Sequence, residues 1–485
     1  MSRAGWMLKA LLIWVAGAVA VILVGAVWYL DQKPDLKVWH TAWLDAEFTT
    51  STPARTFDDY LALEDRLFKQ LDELVYNRID PEDRLPFNRY FRGSKTDSGS
   101  WSPDWNRSYV LSTERPAAGV LLIHGMSDSP YVLRALAERL NAGGAAVVGL
   151  RVPGHGTAPS GLVRVRYEDM AAAVKLAVER LRDEVGERPI TIVGFSNGGA
   201  LAVHYALAAL EDPSLPAIER VFLMSPEIGV TPMAVLAIWQ ERIGRLLGLD
   251  KLNWNTILPE YDPYKYGSFA VNAGNQAYRL TIENRNRLER LGAAGKLDGF
   301  PPVLAFQSAV DATIVAPDLV KELFDQLPDR GHELVLFDIN RTIEIEALLK
   351  EDPRAWIESI TETPDKRYTF SLVTNENDKS EHMVVRSQKP GQSGSATTDI
   401  ELTWPRSIYS LTHLALPIPA NDPLYGGEDQ GKSPGIRLGS LALRGERGVL
   451  VIPADDMLRL RWNPFFPYVE QRILALVLPG QVGTR

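Results

Sequence analysis

The residue with the clearest potential for chemistry is Ser196. It lies in the segment TIVGFSNGGA, where Gly194 and Gly198 flank it in a G-x-S-x-G pattern. Such a short pattern recurs by chance, but here it follows an apolar run of strand type and precedes a run of helical type. A serine in that strand–turn–helix context is exposed on a tight turn at the start of a helix. The sequence therefore predicts a nucleophile at Ser196, and the structural alternative is a glycine-rich turn without a chemical role.

Further motifs surround this serine along the chain. They are VLLIHGMSDSP, LRVPGHGTAPSGL, QSAVDATIVAP and IYSLTHLALPIPANDPLYG. Together with IVGFSNGGA they resemble the α/β hydrolases, in the branch of monoacylglycerol lipases and serine aminopeptidases, and the last is similar to the histidine-bearing segment of bacterial members. The resemblance covers residues 109–480. It implies an α/β-hydrolase fold, and a serine hydrolase whose triad runs in the order serine, acid, histidine.

The acid of such a triad is predicted at Asp311. This residue follows the apolar run VLAFQS in the turn AVDAT, close to the carboxyl end of a predicted strand. Both the family motif and the order along the chain favour it. Asp338 and Glu227, which also follow predicted strands, are weaker substitutes that more often bind backbone groups or cations.

Three histidines follow Asp311 and could supply the base. His332 enters a strand at its amino end, which is the wrong edge of a parallel sheet for a site. His382 lies in the charged stretch NDKSEHM. His413 matches the family segment, although it lies 102 residues after the acid, farther than is usual in the family. We predict His413 as the base, with an insertion at residues 340–405 that loops out and accounts for the distance.

An oxyanion hole is expected from two backbone N–H groups. One belongs to Asn197, the residue after the nucleophile, and by resemblance to the family the other belongs to Met126. His124 and His155 are expected to shape loops at the edge of the site, and no catalytic role is assigned to them. The sequence contains no H-E-x-x-H and no G-x-x-x-x-G-K-[ST] motif, so we expect neither a metal nor a cofactor.

The elements that would position these residues alternate along the chain. Six short apolar runs read as strands: Gly119–Ile123, Ala145–Leu150, Ile190–Phe195, Arg220–Met224, Val303–Ser308 and Glu333–Asp338. Helical runs lie among them or close the domain: Pro130–Ala142, Tyr167–Val185, Gly198–Leu210, Pro317–Gln326 and Asn463–Leu478. Continuous apolar strands that alternate with helices predict a buried, mostly parallel sheet with helices on both faces.

Two regions interrupt this alternation. Residues 228–297 are rich in aromatic side chains and predict a helical cap. Residues 340–405 predict a helix near Ile343–Lys350, an extended stretch YTFSLVTNEND and a flexible loop QKPGQSGSATTD. The first region is expected to shape the substrate site, and the second is atypical of the family.

The N-terminal part of the chain has a different character. Residues 1–9 form a short flank, and residues 10–30 carry no charge and would reach roughly 31 Å as a helix, at about 1.5 Å per residue. They predict an uncleaved single-pass anchor, with a cleaved signal peptide as the alternative. Residues 31–55 read as a polar linker and residues 56–75 as an amphipathic helix within an extension that ends at residue 108. The short flank favours an internal N-terminus, which predicts a bacterial inner-membrane protein with a periplasmic catalytic domain.

Composition excludes several classes of protein. The chain has 485 residues, of which 45% are hydrophobic and 23% charged, as in globular proteins. Its net charge of −9 argues against nucleic-acid binding. It has no cysteine, which rules out disulfides, thiolate metal sites and a cysteine nucleophile.

These observations predict a membrane-anchored serine hydrolase that cleaves carboxylic esters through an acyl-enzyme. The aromatic cap and the family favour a small-molecule or lipid ester, such as a monoacylglycerol or a lysolipid. An aminopeptidase or amidase of the same fold is one alternative. It would need a cluster of carboxylates near the cap, for which the sequence offers Glu227, Glu241, Glu260, Asp262 and Glu283. A non-catalytic, membrane-anchored interaction protein that uses residues 340–405 is the other alternative.

Overall fold

A computed structural model describes most of the chain. The described residues are 3–229, 249–313, 316–363, 365–428, 431, 436–441 and 454–480. Within them the protein has one large sheet, one small sheet and helices on both faces of the large sheet. The predicted fold class, an α/β-hydrolase fold with a mostly parallel sheet, is confirmed.

The large sheet is built from ten strands in the order β1-β3-β2-β4-β5-β8-β9-β10-β11-β12. The strands that position the site are β2 (Ala118–Ile123), β3 (Ala145–Leu150), β4 (Ile190–Phe195), β5 (Arg220–Met224), β8 (Val303–Ser308) and β9 (His332–Phe337), and all of them run parallel to their neighbours in this group. Every residue of β2, β3, β4 and β8 is buried, because both faces of these strands are covered. This explains why their sequences are continuous apolar runs rather than alternating ones.

The helices form two layers around this sheet. One face packs against α5 (Tyr167–Val185) and α6 (Asn197–Glu211), and the other packs against α4 (Arg134–Ala142) and the closing helix α11 (Phe466–Val477). The side chains of β2 alternate between the two layers: Leu121 and Ile123 contact the first, Val120 and Leu122 the second. Remaining elements of the body are β1 (Tyr109–Leu111), which pairs antiparallel with β3, and α8 (Ala316–Leu319), which continues into a π-helical turn at Val320–Phe324.

Residues 340–405 do not loop out of the fold as predicted. After α9 (Arg354–Glu362), strand β10 (Tyr368–Asn375) pairs parallel with β9, and β11 (His382–Gln388) and β12 (Ala396–Thr403) follow as antiparallel neighbours. The region therefore widens the main sheet by three strands. The helix predicted near Ile343–Lys350 is wrong, since only two 3₁₀ turns form there, and the predicted flexible loop contains the first four residues of β12.

The predicted cap at residues 228–297 is described in part, because residues 230–248 lie outside the described residues. The rest contains a small sheet of β6 (Trp254–Thr256) and β7 (Phe269–Ala270), followed by α7 (Val271–Ala293). Helix α7 buries Ala273 and Leu280 in the same apolar cluster as α6. It serves as the crossover helix that leads the chain back into β8.

The N-terminal extension packs on the body. Helix α3 (Phe57–Leu74) begins at Thr56 with the predicted cap, in which the Thr56 hydroxyl accepts from the Asp59 N–H and the Asp59 carboxylate accepts from the Thr56 N–H. The interpretation of residues 31–55 as a polar linker is wrong. Trp39 and Phe48 are buried there, beside the short helix α2 (Val38–Thr41), because the body offers an apolar surface that the local sequence does not reveal.

The first helix, α1, spans Arg3–Gln32. Many side chains of residues 10–30 lie outside the described residues. In the part of the chain that is described, no helix meets the length and apolar character that a membrane crossing requires, so the structure does not support the predicted anchor.

Candidate active site

Ser196 is held in a strained turn between β4 and α6. Its backbone has φ 54° and ψ −120°, in the left-handed region that non-glycine residues rarely occupy. The turn is held because the Ser196 N–H donates to the Met224 carbonyl at 2.9 Å, and the Ser196 carbonyl accepts from the Gly199 N–H at 2.9 Å. Strain of this kind persists where the surrounding structure enforces it, and it presents the hydroxyl above the carboxyl edge of the sheet.

The glycines around Ser196 are required by close approach. A Cβ atom at Gly198 would lie 2.1 Å from the Ile123 carbonyl oxygen, and one at Gly194 would lie 2.3 Å from the Gly198 carbonyl oxygen. Only glycine lets the start of α6 approach the ends of β2 and β4 so closely. The G-x-S-x-G spacing is thus a packing requirement of the turn that carries the serine.

His413 and Asp311 meet at the same edge of the sheet. The Nδ1 atom of His413 lies 2.9 Å from Oδ2 of Asp311, and both side chains are buried. The carboxylate also accepts from the Thr313 N–H at 2.8 Å and from Nε2 of Gln307 at 3.1 Å. Because an ionised carboxylate only accepts, Nδ1 carries the proton and Nε2 is left as the basic nitrogen.

The returning chain brings His413 beside the nucleophile. The imidazole ring lies 5.1 Å, centroid to centroid, from the ring of Phe195, the residue that precedes Ser196. The Ser308 hydroxyl at the end of β8 donates to the Leu411 carbonyl at 2.9 Å. Asn340, just after β9, holds the same segment through its backbone N–H to the Tyr409 carbonyl at 2.7 Å. Two parallel strands therefore fix the loop that carries the histidine.

The other candidates for acid and base lie elsewhere. His332 is at the amino edge of β9, where its Nδ1 accepts from the Val303 N–H at 3.1 Å and burial lowers its pKa to about 4. His382 pairs with Asp399 on the added strands at 2.8 Å. Asp338 is bound by the Arg341 guanidinium at 2.6 Å. His332 thus lies at the opposite edge of the sheet and His382 on the added strands, whereas Asp338 lies at the carboxyl end of β9 but is engaged by Arg341.

The predicted oxyanion donors flank the nucleophile. Asn197 opens α6, and Met126 lies in the loop after β2, where a Cβ atom at Gly125 would come 2.9 Å from the Cβ of Ser196. The next residue, Ser127, has φ 64°. Its carbonyl accepts from the Tyr266 N–H at 2.9 Å. The segment between β6 and β7 therefore fixes the loop that contains Met126.

Lys265 is a site residue that the sequence reasoning missed. Its ammonium donates to the Asp128 carboxylate at 2.7 Å and to the Ser127 hydroxyl at 3.0 Å, and thus ties the cap region to the Met126 loop. No motif marks this contact, since the two partners are separated by 137 residues.

His124 and His155 lie beneath this loop as neutral imidazoles. Nδ1 of His124 donates to the Gly125 carbonyl at 2.8 Å, and Nε2 accepts from the Val152 N–H at 3.0 Å. Burial lowers the pKa of His124 well below its usual value and that of His155 to about 4. Both residues shape loops, as the sequence predicts.

A narrow cavity of about 20 Å³ opens next to Phe195 and Leu414. It is lined by Asp128, Tyr131, Val132, Phe195, Tyr264, Lys265, Leu414, Ile418, Tyr425 and Arg461. Phe195 and Leu414 are the neighbours of Ser196 and His413 in sequence. The space is sufficient for a group of about the size of a water molecule. Among the described residues, no group of histidines and carboxylates is arranged to hold a metal ion.

Comparison with known proteins gives a match to one family model. The family model described as "Serine aminopeptidase, S33" matches residues 114–339, which include the β2 loop, Ser196 and Asp311. Through this segment the chain is similar to the serine-aminopeptidase-like α/β hydrolases. The chain has an α/β-hydrolase fold, and part of it is similar in sequence to a lipase.

Individual proteins are similar to parts of this chain. The thermostable monoacylglycerol lipase of Bacillus sp. (strain H-257) is 33% identical over 93 residues, which are 19% of this chain and 36% of the lipase. The solved monoacylglycerol lipase of Paleococcus ferrophilus covers 48% of this chain and 88% of its own, with 21% identity and a TM-score of 0.36. A structure of the metagenome-derived lipolytic enzymes LipS and LipT gives 20% identity over 48% and 87% of the two chains, with a TM-score of 0.37.

Proposed function

We propose that this hydrolase cleaves carboxylic esters with Ser196 as nucleophile, His413 as general base and Asp311 as the residue that orients the histidine. The observation that carries the proposal is the 2.9 Å contact between His413 and Asp311 at the sheet edge where Ser196 stands on its strained turn. The buried carboxylate fixes the tautomer of the imidazole and stabilises the imidazolium that forms during the reaction.

The reaction proceeds in two halves. The Ser196 oxygen attacks the ester carbonyl carbon while its proton passes to Nε2 of His413, and the N–H groups of Met126 and Asn197 donate to the resulting oxyanion. Collapse breaks the bond to the alkoxy group, which takes the proton from His413 and leaves as an alcohol. Water then attacks the acyl-enzyme with His413 again as the base, which releases the carboxylic acid and restores Ser196.

We propose that the substrates are lipid-like esters of monoacylglycerol or lysolipid type. The similarity to a monoacylglycerol lipase supports this class, as does the aromatic composition of residues 228–297.

The test is a substrate panel with the purified protein. We expect hydrolysis of p-nitrophenyl esters and release of fatty acid from monoacylglycerols, and much slower cleavage of amino-acid p-nitroanilides. A panel in which only the anilides are cleaved would overturn the ester proposal in favour of the amidase. If the protein hydrolyses the p-nitrophenyl esters but none of the monoacylglycerols, the proposed ester hydrolysis stands and the proposed lipid substrate is rejected.

Of the five carboxylates on which the aminopeptidase alternative depends, Glu227 lies beside Ser196 and binds the Asn197 amide, but the others give the alternative little support. The Arg461 guanidinium binds Asp262 at 2.9 Å, and Arg287 binds Glu283 at 2.7 Å. Glu260 accepts from the backbone N–H groups of Gly267 and Ser268. Glu241 lies outside the described residues. These engaged groups would not receive the ammonium of an amino-terminal substrate without losing their present partners.

The non-catalytic alternative is also less favoured. It assigned residues 340–405 to partner binding, whereas β10 and β11 bury Phe370, Val373 and Met383 within the main sheet. Most of this region thus has a structural role in the body.

For localisation we propose, from the sequence alone, a bacterial inner-membrane protein with an N-terminal anchor at residues 10–30 and a periplasmic catalytic domain. We expect the full chain expressed in a Gram-negative host to stay in the membrane fraction after carbonate washing and to be digested by protease in spheroplasts. A chain that begins at residue 31 is the control and should be released. Recovery of the full chain in the carbonate supernatant would reject the anchor, and protection in intact spheroplasts would reject the orientation.

A further inference from the structure

Glu227 is a carboxyl group of the active site that the triad does not use. It follows β5 directly, and its backbone N–H donates to the Ser196 carbonyl at 3.0 Å. Its Oε2 atom accepts from Nδ2 of Asn197 at 3.2 Å. One residue therefore contacts both the nucleophile and the residue expected to supply an oxyanion N–H.

The turn that carries Glu227 is itself constrained. Ser225 has φ 41°, and its N–H donates to the Phe306 carbonyl at 2.8 Å. Pro226 packs so closely against α6 that a Cβ atom at Gly199 would lie 2.7 Å from the proline Cβ. The strained turn after β5 thus supports the strained turn after β4 from the side, and Glu227 is the side chain placed where the two turns meet.

The charge around Glu227 is uncompensated within the described residues, where no lysine or arginine lies within salt-bridge distance of it. Burial raises the pKa of its carboxyl, and the Asn197 amide and the nearby His413 counteract this in part. Asp311 faces His413 from the loop after β8, and Asp318 approaches the turn beyond Glu227 at Gly229. A partly buried carboxyl without a cation among the described residues is costly, so its presence here calls for a role that a neutral apolar residue would not fill.

We infer that Glu227 is a positioning residue of the hydrolase: it holds Asn197 and Ser196 so that the backbone N–H of Asn197 points at the oxyanion, and its negative charge favours the protonated form of His413. This inference rests on the proposed function. Glu227 does not contact the reacting atoms, and its effect passes through Asn197 and His413. It differs from a substitute triad acid, since Asp311 already holds Nδ1 of the base.

Two variants separate the two parts of this role. Glu227→Gln keeps an oxygen that accepts from Asn197 and removes the charge, whereas Glu227→Ala removes both. We expect Glu227→Ala to lower kcat about 10- to 100-fold with little change in KM, which is less than the loss of a whole oxyanion donor. For Glu227→Gln we expect a loss of kcat of about threefold or less, since the hydrogen bond to Asn197 is retained.

The pH profile is the readout that a purely structural role would not change. Loss of the carboxylate makes the imidazolium of His413 less favourable, so the acid limb of the kcat profile of Glu227→Gln should move to lower pH by roughly half a unit. The control is Glu333→Gln, a carboxyl that pairs with Arg472 far from the site and should leave the profile in place.

The outcomes distinguish this inference from the proposed function. If wild-type protein reacts with a fluorophosphonate probe and hydrolyses esters, but Glu227→Ala keeps its kcat, the positioning role is rejected and the proposed function stands. The inference also fails if Glu227→Ala and Glu227→Gln lose the same amount of activity and the pH profile of Glu227→Gln is unchanged. In that case neither the hydrogen bond to Asn197 nor the charge of Glu227 accounts for the loss. Wild-type protein that neither reacts nor hydrolyses would instead reject the proposed function. Thermal unfolding of each variant identifies a loss that is due to misfolding.

Discussion

Replacement of Ser196 by alanine is expected to abolish reaction with a fluorophosphonate probe, and replacement of His413 by alanine to reduce it almost as far. In ester hydrolysis we expect each change to lower kcat/KM by about 10⁴-fold or more, because nucleophile and base act as one unit. The combined variant should lose little beyond either single change. Labelling rates and initial hydrolysis rates measure both effects.

Two histidines provide controls for this prediction. His382→Ala alters an exposed pair with Asp399 on the added strands, and His332→Ala alters the opposite edge of the sheet. Both variants should react at the wild-type rate once their folding has been checked by circular dichroism. Loss of labelling in His332→Ala with labelling retained in His413→Ala would reverse the assignment of the base.

The second large effect is expected on stability, from Arg151. Its buried guanidinium binds both oxygens of Glu47 at 2.9 and 3.0 Å, Oε2 of Glu64 at 3.0 Å and the His155 carbonyl at 3.1 Å. Arg151→Ala leaves two carboxylates without a cation, and we expect the free energy of unfolding to fall by about 3–5 kcal/mol. Urea unfolding at neutral pH measures this loss.

The pH dependence of that loss follows from Glu64. Burial already raises the pKa of this carboxyl with Arg151 present, and removal of the guanidinium raises it further. A carboxyl whose pKa is higher in the folded than in the unfolded protein contributes its full stabilisation below the unfolded-state pKa. This contribution is lost as the pH rises through the folded-state pKa. The loss of stability in Arg151→Ala should therefore become smaller towards acid pH.

The matched control is Arg354→Ala, which removes an exposed arginine. A change of more than about 1 kcal/mol in its free energy of unfolding would mean that removal of a positive charge acts non-specifically.

The sequence predicted the central strands closely because burial on both faces leaves a continuous apolar run. The predicted bounds of the strands at 145–150, 190–195, 220–224 and 303–308 match the observed ones. The positions of Ser196 and Asp311 at the carboxyl edge of the sheet could be predicted for a related reason, since each lies within three residues of the end of such a strand in a short local motif. His413 depended on the resemblance of its segment to the family, because its distance from Asp311 gives no guidance.

The parts that were missed depend on contacts between distant segments. All eight positions of strand β12 are exposed or half-exposed and its first four residues, ATTD, are small or polar, so it reads as a loop although backbone pairing with β11 makes it a strand. The burial of Trp39 and Phe48 depends on a surface of the body, and the pairing of Lys265 with Asp128 joins the cap region to the β2 loop. Local sequence patterns carry no signal for partners that are so far apart in the chain.

The position of His413 late in the chain determines when, during synthesis, the proposed triad can first be complete. A ribosome makes Ser196, the β2 loop and Asp311 long before residue 413, and domains fold from the N-terminal side as synthesis proceeds. Between those moments the chain must add three strands to its sheet and lead a loop back to Asn340 and Ser308. Until then the growing polypeptide holds a strained serine with no base to activate it. On the proposed function, the growing chain therefore has no hydrolytic activity until the segment that carries His413 has been made and has packed against the ends of β8 and β9.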